Sequence, residues 1–410
     1  MAMMIFLLVA IQICGSLGNS LDVLENYMAL RAVASDVNKF SSEFYQAVSK
    51  AENDNLIASP ISASLALSML TYGARGNSEK QLKSVLHFNS DAEVQKRGVK
   101  TLIENLNEFA KVDLKLANKI FLAENVTVNP EFMEVTESVF KSAVQNVDYS
   151  EPEEASKTIN SWCEQQTNSK IKDLFSADDF DNDTGLVLVN AVYFKGNWLQ
   201  KFDANLTTSK KFTLEDGTTK KVPTMNAYRD YRFGVLEDLG ARFVELPYES
   251  NDISDGISMF IVLPNEPSGL KDLQQNLTKL DLNRLLSGSL VKVNLSLPKF
   301  KVESKLDLKA PLSDLGLKDI FEDSADLTGI LSAEAPHLKV NKIVQKAFIE
   351  VNEEGSEAAA ATGVELENRF GWEAEKKEVK FSVDHPFVLL IATQDAIIFT
   401  ARIADPSYET

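Results

Sequence analysis

The sequence predicts an α+β fold built as one large domain. Three observations carry that prediction: helical hydrophobic spacing in the first hundred residues, long apolar or alternating runs from about residue 185 onward, and no segment with the composition of a linker. The chain has 410 residues, 44% of them hydrophobic and 25% charged, which is ample material for an extensive core. No stretch is rich in Pro, Gly and Ser, and no repeat recurs at a period of 20 to 50 residues.

Taken in order, the elements support this reading. Residues 1–18, MAMMIFLLVAIQICGSLG, form an apolar run too short to span a bilayer, with Ser16 and Gly18 placed for signal-peptidase cleavage. No Lys or Arg precedes it. A signal peptide is therefore expected over 1–18, with the domain running from Asn19 to the end, 19–410. Val33, Val37, Phe40, Phe44 and Val48 then recur at three and four, the spacing of one buried helix face, and the polar breakers AENDN close that helix. SPISASLALSMLTYGARG follows as a second helix, apolar nearly all round, with Ser59 as N-cap and Pro60 in the first turn. It belongs at the centre of the molecule.

Strands dominate from residue 185. LVLVNAVYF, Leu186 to Phe194, is apolar on both faces and reads as a central strand covered above and below. Further strands are expected over GISMFIVLP, over VKVNLSLPKFKVE, and over FVLLIA and AIIFTARIA, the last two joined by the turn TQDA.

Composition narrows the function. Five sequons, at Asn125, Asn182, Asn205, Asn276 and Asn294, agree with export, although Asn294 lies inside the alternating run VKVNLSL and is expected to be poorly accessible. Glycosylation is thus expected at Asn125, Asn182, Asn205 and Asn276. Cys163 is the one cysteine left after the leader and reads as a buried apolar residue rather than a reactive thiol. A net charge of -18 disfavours nucleic acid and anionic membrane as partners. The lysine pairs 210/211, 220/221 and 376/377 read as solvated faces unless folding brings them together. His87, His337 and His385 show no metal-ligand spacing, and neither a GxSxG elbow nor a phosphate-cradling loop is present, so neither catalysis, a metal nor a cofactor is expected.

The informative segment is EEGSEAAAATGVELENR, residues 353–369. As a helix it is weakened by Gly355 and Gly363. At the strand period of two, one face carries Ser356, Ala358, Ala360, Thr362, Val364, Leu366 and Asn368, and the other carries Glu357, Ala359, Ala361, Gly363, Glu365, Glu367 and Arg369. From Ser356 onward every charge falls on the second face. Such a segment can enter a sheet with its neutral face toward a core and its charged face toward water.

From end to end the chain resembles the serpins. The motifs are NLIASPISASLALSMLTYGARGNSEKQLKSVLHF (55–88), LVLVNAVYFKGNW (186–198), ADLTGI (325–330), FIEVNEEGSEAAAATG (348–363) and FSVDHPF (381–387), in the family's order, closed by a hairpin through Ala404, Asp405 and Pro406. The resemblance implies about nine helices and three β-sheets, with a large central sheet and an exposed reactive loop over about 353–380. It also implies a single-use inhibitor: a protease cuts the loop, becomes tethered as an acyl-enzyme, and is carried along as the loop inserts into the sheet. Fifteen residues at about 3.3 Å each give a travel of roughly 50 Å.

Matched to the family's pattern, Glu353, Glu354, Gly355, Ser356, Glu357, Ala358, Ala359, Ala360, Ala361 and Thr362 form the hinge, small enough for insertion to begin unhindered. The family's usual spacing places the cut bond between Arg369 and Phe370, and an arginine there suits the acidic specificity pocket of a trypsin-like serine protease. Phe370 or Leu366 would instead suit a papain-like cysteine protease, and FGWEAEKKEVKF after the bond is long enough to allow cleavage at a neighbouring position. Ser59, Ser62 and Asn190 match the polar cluster where the sheet parts, and Trp198 matches the tryptophan at the point of loop entry. Two departures stand out: Gln345 replaces the family's histidine in the cluster, and Ser169 stands where glycine is common. A secreted, extracellular monomer with a protease partner is expected. A carrier, chaperone or storage role without inhibition is the remaining alternative.

Overall fold

Helix Ala2–Ala51 buries Val33, Val37, Phe40, Phe44 and Val48 in the core, as their three-and-four spacing predicts. In this computed structural model, residues 2–51, 54–251, 256–332, 337–356 and 378–408 are described. The second helix, Pro60–Gly73, starts where expected: the Ser59 side chain accepts from the Ser62 amide, and Pro60 occupies the first turn. Every residue of it except Tyr72 is buried. Nine α-helices are present among the described residues.

The strands form two hydrogen-bonded sheets. The smaller has six strands in the order Phe300–Asp307, Val340–Val351, Gly355–Ser356, Leu186–Asn197, Val112–Ala123, Val144–Val147. The larger has nine, among them the hairpin of Phe387–Ala392 and Ile397–Ile403 closed by the expected short turn, where the Thr393 amide donates to the Ala396 carbonyl. The three sheets of the expectation connect as two because the 18-residue strand Thr219–Leu236 is shared. It pairs with Ala241–Pro247 through Phe233 to Leu236 and with Ser289–Pro298 through Thr224 to Phe233.

Strand Leu186–Asn197 is covered on both faces, as its all-apolar sequence requires. Leu186, Leu188, Val192 and Phe194 face the main core, whereas Val187, Val189 and Ala191 pack in a second cluster with Ile159 and Cys163 of helix Pro152–Gln166. Burial pushes the Cys163 thiol up to about 12, so it is a packing residue, as expected.

Two features add to the expected strands. Strand formation begins well before residue 185, with Val112–Ala123 and Val144–Val147 in the smaller sheet. The run VKVNLSLPKFKVE is divided, Ser289–Pro298 lying in the larger sheet and Phe300–Asp307 in the smaller. Pro298 cannot donate to a ladder, and the Lys299 amide turns aside to the Pro223 carbonyl, so the chain changes sheets there.

Candidate functional site

The site lies between two neighbouring strands of the smaller sheet. Val340–Val351 and Leu186–Asn197 run parallel and pair directly from Val340 with Leu186 to Phe348 with Tyr193. Beyond that point they part, and Gly355–Ser356 stands between them. Ser356 pairs antiparallel with Val351 on one side and with Gly196 on the other, while Gly355 pairs with Asn197. A parallel pair thus opens at one end to admit the first two residues of an antiparallel strand.

The turn into this gap is built from Asn352. Its amide donates to the Gly355 carbonyl (3.0 Å), and its Oδ1 accepts from the amides of Glu354 (3.0 Å) and Gly355 (3.3 Å). Gly355 has φ 156°, and a Cβ there would lie 2.0 Å from the Gly196 carbonyl oxygen. No other residue fits so close to the neighbouring backbone. Gly196 is needed in turn, since a Cβ on it would come within 2.9 Å of the Tyr248 ring.

Trp198 locks the same corner. Its amide donates to the Glu354 carbonyl (2.8 Å) and its indole N–H to the Asn352 carbonyl (2.9 Å), and its ring stacks on Tyr248 at 4.6 Å between centroids. The Tyr248 hydroxyl reaches the Ser356 hydroxyl at 2.6 Å. Glu353 is held by Lys299 Nζ (2.8 Å) and the Thr207 hydroxyl (2.7 Å), and Glu354 by Lys201. Burial acts to raise the Glu353 carboxyl, but the bonds from Lys299 and Thr207 outweigh it and hold the group below the ordinary glutamate range.

Deeper between the strands, Gln345 and Asn190 lie directly opposite one another. Gln345 Nε2 donates to Asn190 Oδ1 (2.7 Å) and to the Ser59 carbonyl (2.9 Å), and its Oε1 accepts from the Ser59 amide (2.8 Å). The Asn190 amide donates to the Ser62 hydroxyl (2.7 Å) and to Asn118 Oδ1, and the Ser59 hydroxyl donates to the Ile398 carbonyl (2.7 Å). Ser59, Ser62, Asn190 and Gln345 are each fully buried. The glutamine thus makes three bonds without an ionisable proton.

The structure groups Glu353, Glu354, Gly355, Ser356 and Trp198 where the two strands part, and Ser59, Ser62, Asn190 and Gln345 further along the same strand pair, where it is still closed. Glu357, Ala358, Ala359, Ala360, Ala361, Thr362, Arg369 and Phe370 lie outside the described residues. Asn118, Tyr248, Gly196, Lys299 and Thr207 belong to the site and were not singled out from the sequence. Ser169 has φ 59°, a left-handed conformation that explains why glycine suits that position. His385 is taken up by Asp384 (2.8 Å) and the Pro264 carbonyl (2.9 Å), and His87 by Glu43 (2.9 Å).

The sequons also have positions. Asn125, Asn182 and Asn205 are exposed and Asn276 is half-buried. Asn294 corrects an expectation. Although its strand is central, its side chain points outward and is exposed, because the run alternates and Val293 and Leu295 take the inward positions.

Comparison with known proteins agrees with this geometry. The family model described as "Serpin (serine protease inhibitor)" matches residues 35–406. The leukocyte elastase inhibitor of Sus scrofa is 38% identical over 381 residues, 90% of this chain and 98% of that protein. Serpin48 of the insect Tenebrio molitor, described as a highly specific serpin, superposes with a TM-score of 0.83 at 35% identity, covering 92% of this chain and 98% of that one. Human thyroxine-binding globulin superposes with a TM-score of 0.82 at 26% identity, covering 93% of this chain and 100% of that one. With a family match spanning most of its length and homologous inhibitors covered almost end to end, the chain belongs to the serpin family.

Proposed function

We propose that this serpin is a suicide-substrate protease inhibitor that acts by loop cleavage near Arg369–Phe370 and insertion of the loop between Val340–Val351 and Leu186–Asn197. One observation carries the reading: Gly355 and Ser356 already pair within the gap, in an antiparallel register that can be continued. Extended without a break, that register would set Ala360 between Ala347 and Val192, Thr362 between Gln345 and Asn190, and Val364 between Ile343 and Leu188. Those three flanking pairs already face each other directly. An incoming strand would therefore exchange one parallel ladder for two antiparallel ones without shifting either neighbour along its axis.

The two faces of the segment fit this path. Ser356, Ala358, Ala360, Thr362 and Val364 would point where Val351, Ile349, Ala347, Gln345 and Ile343 point, toward the buried interior. On the other face Ala361 and Gly363, both small, would pass beside Ala191 and Val189, which pack with helix Pro152–Gln166. Glu357 would fall between Glu350 and Lys195, and Glu365 beside Lys342. The charged face thus meets water mainly at its ends. About ten new ladder bonds at about 1 kcal/mol each would release on the order of 10 kcal/mol.

Arg369 favours a trypsin-like serine protease as the target, and the leader with its sequons favours secretion. Incubation with trypsin and with papain, followed by denaturing electrophoresis and mass measurement of the released C-terminal peptide, tests this reading. A stable complex with trypsin and a peptide starting at Phe370 are expected. A complex with papain alone would change the target class, and cleavage by both enzymes without any complex would leave a carrier role.

A further inference from the structure

We infer that Asn294 is a glycosylation site whose glycan covers the face of the larger sheet that adjoins the C-terminal end of the reactive loop. Asn294 lies on Ser289–Pro298 directly between Tyr228 and Lys380, so a sugar on its amide would project from the middle of the sheet. The side chain is exposed, its flanking residues Val293 and Leu295 are fully buried, and the neighbouring Tyr228 is 56% exposed. Strand Glu378–Ser382, which contributes Lys380, takes up the C-terminal end of the loop expected over about 353–380. A protease holding the loop at Arg369–Phe370 sits about eight residues from that strand, less than 30 Å even at full extension. The glycan and the enzyme would compete for this space. The inference rests on the proposed secretion and on the proposed protease-facing loop.

The state of the sequon fixes when the reaction occurs. Ser296, its hydroxyl residue, is 6% exposed, donates to Asn226 Oδ1 (3.0 Å) and accepts from Lys210 Nζ (2.8 Å). A transferase cannot read that hydroxyl in the folded chain, so transfer precedes folding. The Asn294 amide nitrogen forms a bond to the anomeric carbon of a lipid-pyrophosphate-linked oligosaccharide, the bond from that carbon to the pyrophosphate oxygen breaks, and the lipid pyrophosphate leaves while the amide gives up one proton. The outward side chain then lets the modified chain fold with the sugar in water.

The full chain secreted from a glycosylating eukaryotic culture provides the test. Treatment with a peptide N-glycosidase in heavy-oxygen water should convert Asn294 to labelled Asp in the peptide containing it. Asn294→Gln should then lose the mass of one glycan, and its loop should be cut by limiting trypsin about threefold faster than the wild type, because shielding acts on association. The same substitution in bacterially expressed, sugar-free protein should leave the rate unchanged. An unlabelled Asn294 in secreted protein overturns the site, and equal cutting rates for the glycosylated forms overturn the shielding. Both readouts stand even if no protease is trapped, so failure of the inhibitory reading is seen separately.

Discussion

Ala360→Glu tests the insertion path at the point where it is most demanding. Continued from Gly355 and Ser356, the register sets residue 360 between Ala347 and Val192, both fully buried in the main core. A carboxyl carried there must leave water, and with no cation facing it the group would be neutralised by a pKa rise of about 3 to 5 units. At about 1.4 kcal/mol per unit that costs about 4 to 7 kcal/mol. When insertion has reached residue 360, only about four of the new ladder bonds exist, worth about 4 kcal/mol together. The cost meets or exceeds the gain, insertion stalls, and the acyl-enzyme is hydrolysed. The assay is titration of active trypsin with the variant: the moles of inhibitor consumed per mole of enzyme should rise at least about tenfold, with cleaved chain as the main product. Glu357→Gln, on the outer face between Glu350 and Lys195, should keep most of the complex. Equal complex yields for Ala360→Glu and wild type would refute the inward assignment of the even-numbered positions.

Three further outcomes follow from the geometry of the gap. Gly355→Ala places a Cβ 2.0 Å from the Gly196 carbonyl oxygen, so the hinge should leave the sheet. A loss of about 2 kcal/mol, or about 2 °C in Tm, is expected together with a change in Trp198 fluorescence. Because Gln345 has no ionisable proton, the rate of complex formation should lack any contribution from the slot between pH 6 and 8, whereas Gln345→His should introduce one with a midpoint near the histidine range. The folded Glu353 carboxyl is held below its ordinary value, so its support of the hinge is fully present above about pH 4.3 and is lost only as pH falls through the lower folded value. Thermal scans from pH 7 to 3 should show Glu353→Gln less stable than wild type at the upper end and converging with it at the lower.

Much of the site was legible because it is written in local signals. Ser59 and Pro60 announce a helix start, and Leu186 to Phe194 announces a strand with two covered faces. Asn118 was not legible, since Val112–Ala123 mixes Lys115, Asn118 and Lys119 among its apolar residues without a clean period. Its membership of the polar cluster comes from pairing with Asn190, a long-range choice that no local pattern encodes. Tyr248, Lys299 and Thr207 were missed for the same reason. The close approach of Gly355 to Gly196 was not legible either, because it depends on the pairing of distant segments. The lysine pairs do partly converge, with Lys211 directly opposite Lys221, yet Lys210 is bound to Asn226 and Ser296, and Lys220 to Asp405. Asn294 misled because a central strand was equated with a buried side chain.

Inhibition by this mechanism requires that the broken loop become a strand. Limited cleavage near residue 369 followed by calorimetry compares the cut and intact molecules directly. An entropy of unfolding of about 2.1 cal/mol/K per residue gives about 0.9 kcal/mol per degree for 410 residues, so on the order of 10 kcal/mol of new pairing should raise Tm by about 12 °C. A cleaved molecule melting at or below the temperature of the intact one would contradict the stored-strand mechanism.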